Sequence, residues 1–134
     1  MLSDPRIQSF FAGGPHAVVG ASENRNKYGN KVLRAYMQND LPVYPVHPAS
    51  TNVEGLTAYP DLYALPTSVH GISIITPPAI TEKIVEVVVD LEIKHVWMQP
   101  GAESQAAIDF ALSHSINLIA GDACLLVAIG FKDI

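Results

Sequence analysis

The sequence predicts an α/β protein with a doubly wound, mainly parallel sheet of five or six strands and helices on both faces. Short apolar runs alternate with stretches in which apolar residues recur at helical spacing. Almost every apolar run is followed by Gly, Pro or small residues, which are typical of turns. The 134 residues, 49% of them hydrophobic, suit a single domain spanning residues 1–134. Alternating strands and helices favour parallel strands joined by right-handed crossovers.

The elements follow in chain order, beginning with a short capped helix that Ser3-Asp4-Pro5 opens, with Pro5 in its first turn. A short edge strand is predicted near residues 56–59, and the tail from Cys124 packs back onto the domain. The main strands are expected at 16–19, 41–46, 71–76, 95–98 and 116–120. The main helices are expected at 29–39, at the positions marked by Ile80, Ile84, Val87, Val88 and Leu91, and on the face formed by Ala106, Ala107, Phe110 and Ala111.

The charge distribution argues against nucleic acid as a partner and favours a small anion. The net charge is −5, which argues against a general nucleic-acid binder, because such proteins carry broad basic faces. Half of the eight basic residues nevertheless fall within one short window, at Arg25, Lys27, Lys31 and Arg34. This cluster favours a local anion site, with a solvated helix face as the alternative.

The first strand–helix turn is the strongest candidate for that site. In doubly wound sheets, ligands bind beyond the carboxyl ends of the strands. Gly20, Ala21 and Ser22 leave the first strand there, and Gly29 opens the next helix. Free amides and the positive end of the helix dipole stabilise phosphate at such a turn. The Ser22 hydroxyl, Arg25 and Lys27 add hydrogen-bond donors and positive charge, which predicts a phosphate-bearing nucleotide as the ligand.

Two features disfavour NAD without removing it as an alternative. The dinucleotide fingerprint G-x-G-x-x-G is absent, because Gly20 and Gly29 lie too far apart. A nicotinamide site also expects an acidic residue after the second strand, to hold ribose hydroxyls. This chain has His47 and Pro48 at that position.

Four motifs occur in an order that resembles a known family. They are V-V-G-A-S at 18–22 with Gly29, Y-P-V-H-P at 44–48, Gly55 with Y-P-D-L at 59–62, and V-W-M-Q-P-G at 96–101. Together they resemble the stand-alone CoA-binding domain proteins, relatives of the N-terminal domain of the succinyl-CoA synthetase α-subunit. The resemblance covers about residues 10–124.

The resemblance implies a Rossmann-like fold that holds coenzyme A, or an acyl-CoA, across the strand ends. Carried over by motif, the phosphate turn comprises Gly20, Ala21 and Ser22, with Lys27, Tyr28 and Gly29 nearby. His47 and Pro48 would border the adenosine part of the cofactor. Thr76, Pro77 and Pro78 match the turn that packs along it, and Gln99 with Gly101 matches the last wall.

The sequence favours binding over catalysis. The five histidines show no metal-ligand spacing, so no metal site is predicted, and His16 and His95 are expected to be packing or surface groups. Asp122 and Cys124 could form an acid–thiol pair, but a lone cysteine beside apolar residues is more often an inert core thiol. Two alternatives stay open: an NAD(H)-binding redox-sensing or oxidoreductase-like domain, and the CoA-binding subunit of an acyl-CoA ligase that acts with a partner chain.

The remaining expectations concern location and assembly. No apolar run approaches the length of a membrane helix, and the N-terminus does not resemble a secretory signal. The single cysteine fits a reducing, cytoplasmic environment. The expected partner is a small-molecule nucleotide cofactor, with no nucleic acid and no membrane. Whether the protein forms a homodimer is left open.

Overall fold

The protein contains a five-stranded, fully parallel sheet, seen in a computed structural model that describes residues 4–121 and 123–134. The strand order across it is β2-β1-β5-β6-β7, and β3 and β4 form a separate two-stranded antiparallel ribbon. The strands are β1 His16–Val19, β2 Val43–Val46, β3 Asn52–Val53, β4 Leu56–Thr57, β5 Gly71–Ile74, β6 His95–Met98 and β7 Asn117–Ile119.

In the part of the chain that the structure describes, five α-helices cover the two faces of the large sheet, which confirms the predicted doubly wound, Rossmann-like architecture. They are α1 Pro5–Phe11, α2 Tyr28–Gln38, α3 Pro78–Asp90, α4 Gln105–Ser113 and α5 Leu125–Ala128. One apolar core joins the sheet to α1, α2 and α5, and the other joins it to α3 and α4. A short 3-10 helix, Leu62–Ala64, lies between β4 and β5.

The strands of the large sheet are mainly apolar because helices bury both faces of the sheet. In β1, Ala17 and Val19 contribute to the core under α3 and α4, and Val18 contributes to the core under α2. A buried hydrogen bond of 2.7 Å between the hydroxyls of Tyr36 and Ser73 ties α2 to β5. Burial raises the pKa of Tyr36, so this hydroxyl stays protonated and α2 is held in one position on the sheet.

Two details of the sequence prediction are wrong. The segment 56–59 does not form a strand at the edge of the main sheet. Glu54 and Gly55 adopt left-handed φ angles of 52° and 83°, which reverse the chain and close the β3–β4 ribbon. Tyr59 forms only a single parallel bridge, to Val46. Ala106 is exposed, whereas Ala107 and Ala111 of the same predicted helical face are buried.

Three histidines lie together at the amino-terminal edge of the sheet, opposite the carboxyl ends of its strands. His16 and His95 begin β1 and β6, as predicted, and the rings of His70 and His95 stack at 4.1 Å. The Nε2 atoms of His16 and His70 lie 2.7 and 2.9 Å from the carbonyl oxygens of Phe10 and Ser9, at the end of α1. These contacts fasten α1 to the sheet, so the histidines pack rather than face the predicted site.

Two negative findings apply to the part of the chain that the structure describes. Its helices are all too short or too polar to traverse a lipid bilayer. Its His, Cys, Asp and Glu side chains nowhere form a group of three that could hold a metal ion.

Candidate functional site

The turns that follow β1, β2 and β5 meet at the carboxyl edge of the sheet. The chain leaves β1 for α2 on one face and leaves β5 for α3 on the other face. Because β1 and β5 are neighbours, the strand order reverses between them. In open α/β sheets, the crevice at such a reversal is where ligands bind.

Close backbone packing shapes the first turn of this crevice. Gly20 has a φ of 95°, and a Cβ added to it would overlap the carbonyl oxygen of Ile75. A Cβ added to Gly29 would in turn overlap the carbonyl oxygen of Gly20. The two glycines therefore allow the start of α2 to lie directly against the end of β1.

The start of α2 presents unpaired backbone donors. Lys27 is the N-cap residue, and its side chain makes no capping hydrogen bond. Among the described residues, none accepts a hydrogen bond from the N–H groups of Ala21, Ser22, Tyr28 or Gly29. The Ser22 oxygen accepts the N–H of Asn24 at 3.1 Å, so its own hydrogen is free to be donated. Such a group of donors at a helix N-terminus attracts an anion.

Three of the four clustered basic residues have carboxylate partners. Arg25 lies 3.3 Å from Glu54, and Lys31 and Arg34 lie 3.6 and 3.1 Å from Asp133. Arg34 is also buried, with 5% of its surface exposed. Two carboxylates, of Glu54 and Asp133, thus offset half of the four positive charges of the cluster.

Lys27 differs from the other three cations. It is exposed, it borders the crevice, and no carboxylate of the described residues lies within ion-pair distance of it. Of the four clustered cations, Lys27 is therefore the one available to an incoming anion. The other three instead pair with Glu54 of the β3–β4 turn and with Asp133 near the C-terminal end of the chain.

His47 has a defined role in the second turn. Its Nδ1 accepts the N–H groups of Ala49 and Ser50 at 3.0 and 2.9 Å, so Nδ1 is unprotonated and Nε2 carries the ring hydrogen. The bonds to Nδ1 fix the turn after β2. They leave Nε2–H as the donor that His47 can offer to a ligand.

Three cavities lie along the carboxyl edge. The central cavity, of about 600 Å³, covers the first turn and reaches His47 and Pro77. A second cavity, of about 470 Å³, shares Gly20, Pro48 and Thr76 with it. The lining of this second cavity is largely apolar, from Val19, Val46, Pro60, Leu62, Ile80, Ile84 and Val87.

A third cavity, of about 260 Å³, lies on the other side of the central one and shares Tyr28 and Ile75 with it. It is completed by Gln99, Pro100 and Cys124. The three cavities therefore form one row. It begins at the second, apolar cavity, which we call the apolar slot, crosses the first turn with its unpaired amides and ends beside the thiol of Cys124.

Gln99 fastens the last turn as well as lining the third cavity. Its Oε1 accepts the N–H of Leu125 at 2.8 Å, and its Nε2 lies 3.5 Å from the sulfur of Cys124. Both ends of the amide therefore have partners within the protein. Cys124 is half-buried, so the expected inert core thiol is in fact in contact with a cavity. Asp122 lies outside the described residues.

The structure brings most of the predicted site residues together. The central cavity is lined by ten of them: Gly20, Ala21, Ser22, Lys27, Tyr28, Gly29, His47, Pro48, Thr76 and Pro77. Gln99 lines the third cavity. Arg25, Pro78 and Gly101 line none of the three. The binding roles of all fourteen stay predictions.

Sequence reasoning missed two groups of residues. Ile80, Ile84 and Val87 were recognised as one helical face, but they line the apolar cavity instead of being fully buried in the core. Apolar residues at helical spacing predict a buried face, so the sequence carried no signal that part of this face borders a cavity. Asn30 and Arg34 support the first turn from behind, and only the folded chain reveals their partners.

Comparison with known proteins assigns this arrangement to a family. The family model described as CoA binding domain matches residues 16–130, which is most of the chain and includes every strand. The chain belongs to this CoA-binding domain family. The predicted resemblance to the CoA-binding domain proteins is thereby confirmed.

Relatives of the family range from small proteins to large ligases. The chain is 25% identical over 119 residues to acetate–CoA ligase [ADP-forming] I of Archaeoglobus fulgidus, and the match covers 81% of this chain and 17% of the ligase. The chain thus spans about a sixth of that relative. A conserved hypothetical protein of Pyrococcus furiosus has a TM-score of 0.81 and 33% identity, with 87% of this chain and 99% of that chain covered.

One structural neighbour supports the fold alone. The dinucleotide forming acetyl-coenzyme A synthetase 1 of Ca. Korarchaeum cryptofilum has a TM-score of 0.71 at 23% identity. The match covers 80% of this chain and 26% of the synthetase. The Rossmann-like fold of the family therefore occurs both in small proteins and within much longer chains.

Proposed function

We propose that this protein binds coenzyme A, or an acyl-CoA, along the row of three cavities at the carboxyl edge of the sheet. The observation that carries the proposal is the order of those cavities. Coenzyme A consists of a flat base, a group of phosphates and a long arm that ends in a thiol. An apolar slot, a turn with free amides and a narrow cavity beside Cys124 follow each other in the same order.

The phosphates belong at the central turn. The unpaired N–H groups of Ala21, Ser22, Tyr28 and Gly29 are suited to phosphate oxygens, and the dipole of α2 adds an attraction of about 0.3–1 kcal/mol when exposed. Lys27 supplies the positive charge at the rim. Ser22 contributes a hydroxyl donor, which forms a stronger hydrogen bond to a charged oxygen than to a neutral one.

The adenine belongs in the apolar slot. Its walls are aliphatic side chains of β1, β2 and α3, which favour a flat aromatic ring over a charged group. His47 and Pro48 stand at the entrance, between the slot and the phosphate turn. Because Nδ1 of His47 is occupied by backbone donors, its Nε2–H is the group that would donate to the ribose or to a phosphate attached to it.

The pantetheine arm then runs past Thr76 and Pro77 and over Tyr28 to the cavity beside Cys124. Gln99 shapes the end of this path by holding the turn that carries Cys124. An acyl group on the sulfur would project from this end. Nothing in this arrangement requires the protein to act on the ligand, and we propose a binding role for the whole chain as one domain.

A titration against two cofactors tests the proposal. Trp97 is fully buried, and its Nε1–H donates to the carbonyl of Ala123, next to Cys124, so its fluorescence should respond when the third cavity fills. We expect coenzyme A to bind with one molecule per chain by calorimetry and to change this fluorescence. NADH should bind much more weakly. Tight NADH binding without a response to coenzyme A would refute the proposal and favour the redox-domain alternative.

The similarity to an ADP-forming ligase supports a second candidate function, that of a CoA-binding component which works together with the other domains of such an enzyme. Purification of the protein from its host, under native conditions, tests it. A stoichiometric partner chain with acyl-CoA ligase activity would support this function. A protein that is recovered alone, with coenzyme A bound, would support the simple binding role.

A further inference from the structure

Two buried polar side chains on α2 lie directly behind the first turn. Asn30 is fully buried, and its Nδ2 donates to the carbonyl oxygen of Ser22 at 2.9 Å and to Glu54 at 3.1 Å. Its Oδ1 accepts the Nε–H of Arg34 at 2.6 Å. Arg34 in turn donates to the carbonyl oxygen of Arg25 at 3.0 Å. The two side chains form one hydrogen-bond network beneath residues 22–25, which we call the relay.

The relay controls the direction of two backbone carbonyls. A turn that binds an anion must point N–H groups toward it and carbonyl oxygens away, since the oxygen lone pairs repel negative charge. The bonds from Asn30 and Arg34 hold the oxygens of Ser22 and Arg25 on the protein side of the loop. In a trans peptide the N–H lies opposite the carbonyl. The N–H of Glu23 is therefore directed away from Asn30, and no described residue accepts it.

Stability alone does not account for a guanidinium at this position. Burying a charge is costly, and a buried ion pair is often no more stabilising than apolar residues of the same size. The carboxylate partner of Arg34, Asp133, is itself 57% exposed, which weakens the attraction between them. The planar fork of Arg34 instead reaches Asn30, the Arg25 carbonyl and Asp133 at once, which a lysine could not do.

We propose that Asn30 and Arg34 are positioning residues of the anion-binding turn: they do not touch the ligand, but they hold the turn with its carbonyls withdrawn and its amides free. This inference rests on the proposed function, because it assumes that phosphate binds at this turn. It also explains the role of Arg34, which is the buried cation of the basic cluster and has no direct access to the ligand.

Three variants test the relay. Asn30→Ala removes the bond to Ser22. Arg34→Lys keeps the charge but loses the fork, so it separates geometry from electrostatics and is the variant more certain to fold. Gln38→Ala is the matched control, because Gln38 lies one turn further along α2 and binds Lys132 of the tail without touching the turn. Each variant is titrated with coenzyme A and with pyrophosphate, and the amide hydrogen exchange of residues 22–29 is measured without ligand.

We expect Asn30→Ala and Arg34→Lys to weaken the binding of both probes about tenfold, as loss of a charge-assisted hydrogen bond would. The amides of the turn should exchange faster in both variants. Gln38→Ala should stay within about twofold of the wild type for both probes. Binding of pantetheine, which has no phosphate to meet the turn, should be unchanged in all three.

The possible failures can be told apart. If the wild type binds coenzyme A and the folded Arg34→Lys variant binds it equally well, with unchanged exchange, the positioning role is overturned while the proposed function stands. If the wild type binds pyrophosphate but not coenzyme A, and the variants lose pyrophosphate, the positioning role stands and the CoA assignment fails. If the wild type binds neither probe, both are overturned.

Discussion

The backbone of Gly29 lies against the carbonyl oxygen of Gly20, so closely that a Cβ on Gly29 would overlap that oxygen. This contact joins the first residues of α2 to the end of β1. It exists only because both positions lack a side chain. The whole candidate phosphate turn depends on it, which makes it the first point to test.

Replacing Gly29 by Ala should open the turn. The added methyl must displace either the carbonyl of Gly20 or the start of α2, and we expect a loss of about 1–3 kcal/mol in the free energy of unfolding. Binding of coenzyme A should fall as well. Urea denaturation and calorimetry measure the two effects. Gly14→Ala is the control, because a Cβ on Gly14 has no atom within 4 Å. Normal affinity in a folded Gly29→Ala variant would contradict the assigned phosphate site.

Lys27 and Arg25 should differ in their effect on binding. Arg25 is already paired with Glu54, whereas Lys27 borders the central cavity without a carboxylate partner among the described residues. Lys27→Ala, alone or with Ser22→Ala, should therefore weaken binding of coenzyme A by about 1–3 kcal/mol. Arg25→Ala should cost clearly less. Calorimetry at two salt concentrations compares them, and an equal loss in both variants would show that the Arg25–Glu54 pair opens for the ligand.

A larger side chain at Ile84 should block the apolar slot. Ile84 is half-buried on α3 and faces the cavity that we assign to adenine. We expect Ile84→Trp to weaken binding of coenzyme A at least about tenfold, since the base would lose its contact area. Binding of pyrophosphate should persist. Leu112→Trp, at an exposed position of α4, provides the control for adding an indole ring. If Ile84→Trp binds coenzyme A normally, the base lies elsewhere.

The histidine cluster should make stability depend on pH. Burial lowers the pKa of His16 below its usual value of about 6.5, and repulsion from His70 and His95 acts in the same direction. The unfolded chain therefore takes up this proton more readily than the folded one. The stabilising contribution is complete above pH 6.5 and is lost as the pH falls below it, with a limiting slope of about 1.4 kcal/mol per pH unit for each proton.

Urea denaturation between pH 5 and pH 7 measures this slope. A His16→Gln variant should show a smaller change across the range, because glutamine does not titrate. His114→Gln, at the exposed C-cap of α4, should keep the slope of the wild type. An identical slope in His16→Gln would assign the pH dependence to other groups.

Much of the fold could be predicted because its strands are short, apolar and separated by strong turn residues. β1 and β6 have the predicted bounds, since His16 and His95 precede runs that are buried on both faces. A strand is present near residues 56–59, as β4, but its partner differs from the prediction, because a short apolar stretch indicates a strand without determining its partner. The left-handed Glu54–Gly55 turn pairs residues 56–57 with residues 52–53 instead of with the main sheet.

The candidate site, like the fold, could be predicted from the sequence only in part. The sequence alone determined the doubly wound fold and located the candidate phosphate turn, because glycine spacing and apolar periodicity are local properties of the chain. Only the tertiary structure decided which charges are free. Glu54 and Asp133 are distant in sequence from Arg25 and Arg34, and folding brings them into contact. The proposed anion site therefore relies on backbone amides and Lys27 rather than on the whole basic cluster, because charge pairing is a property of the folded surface.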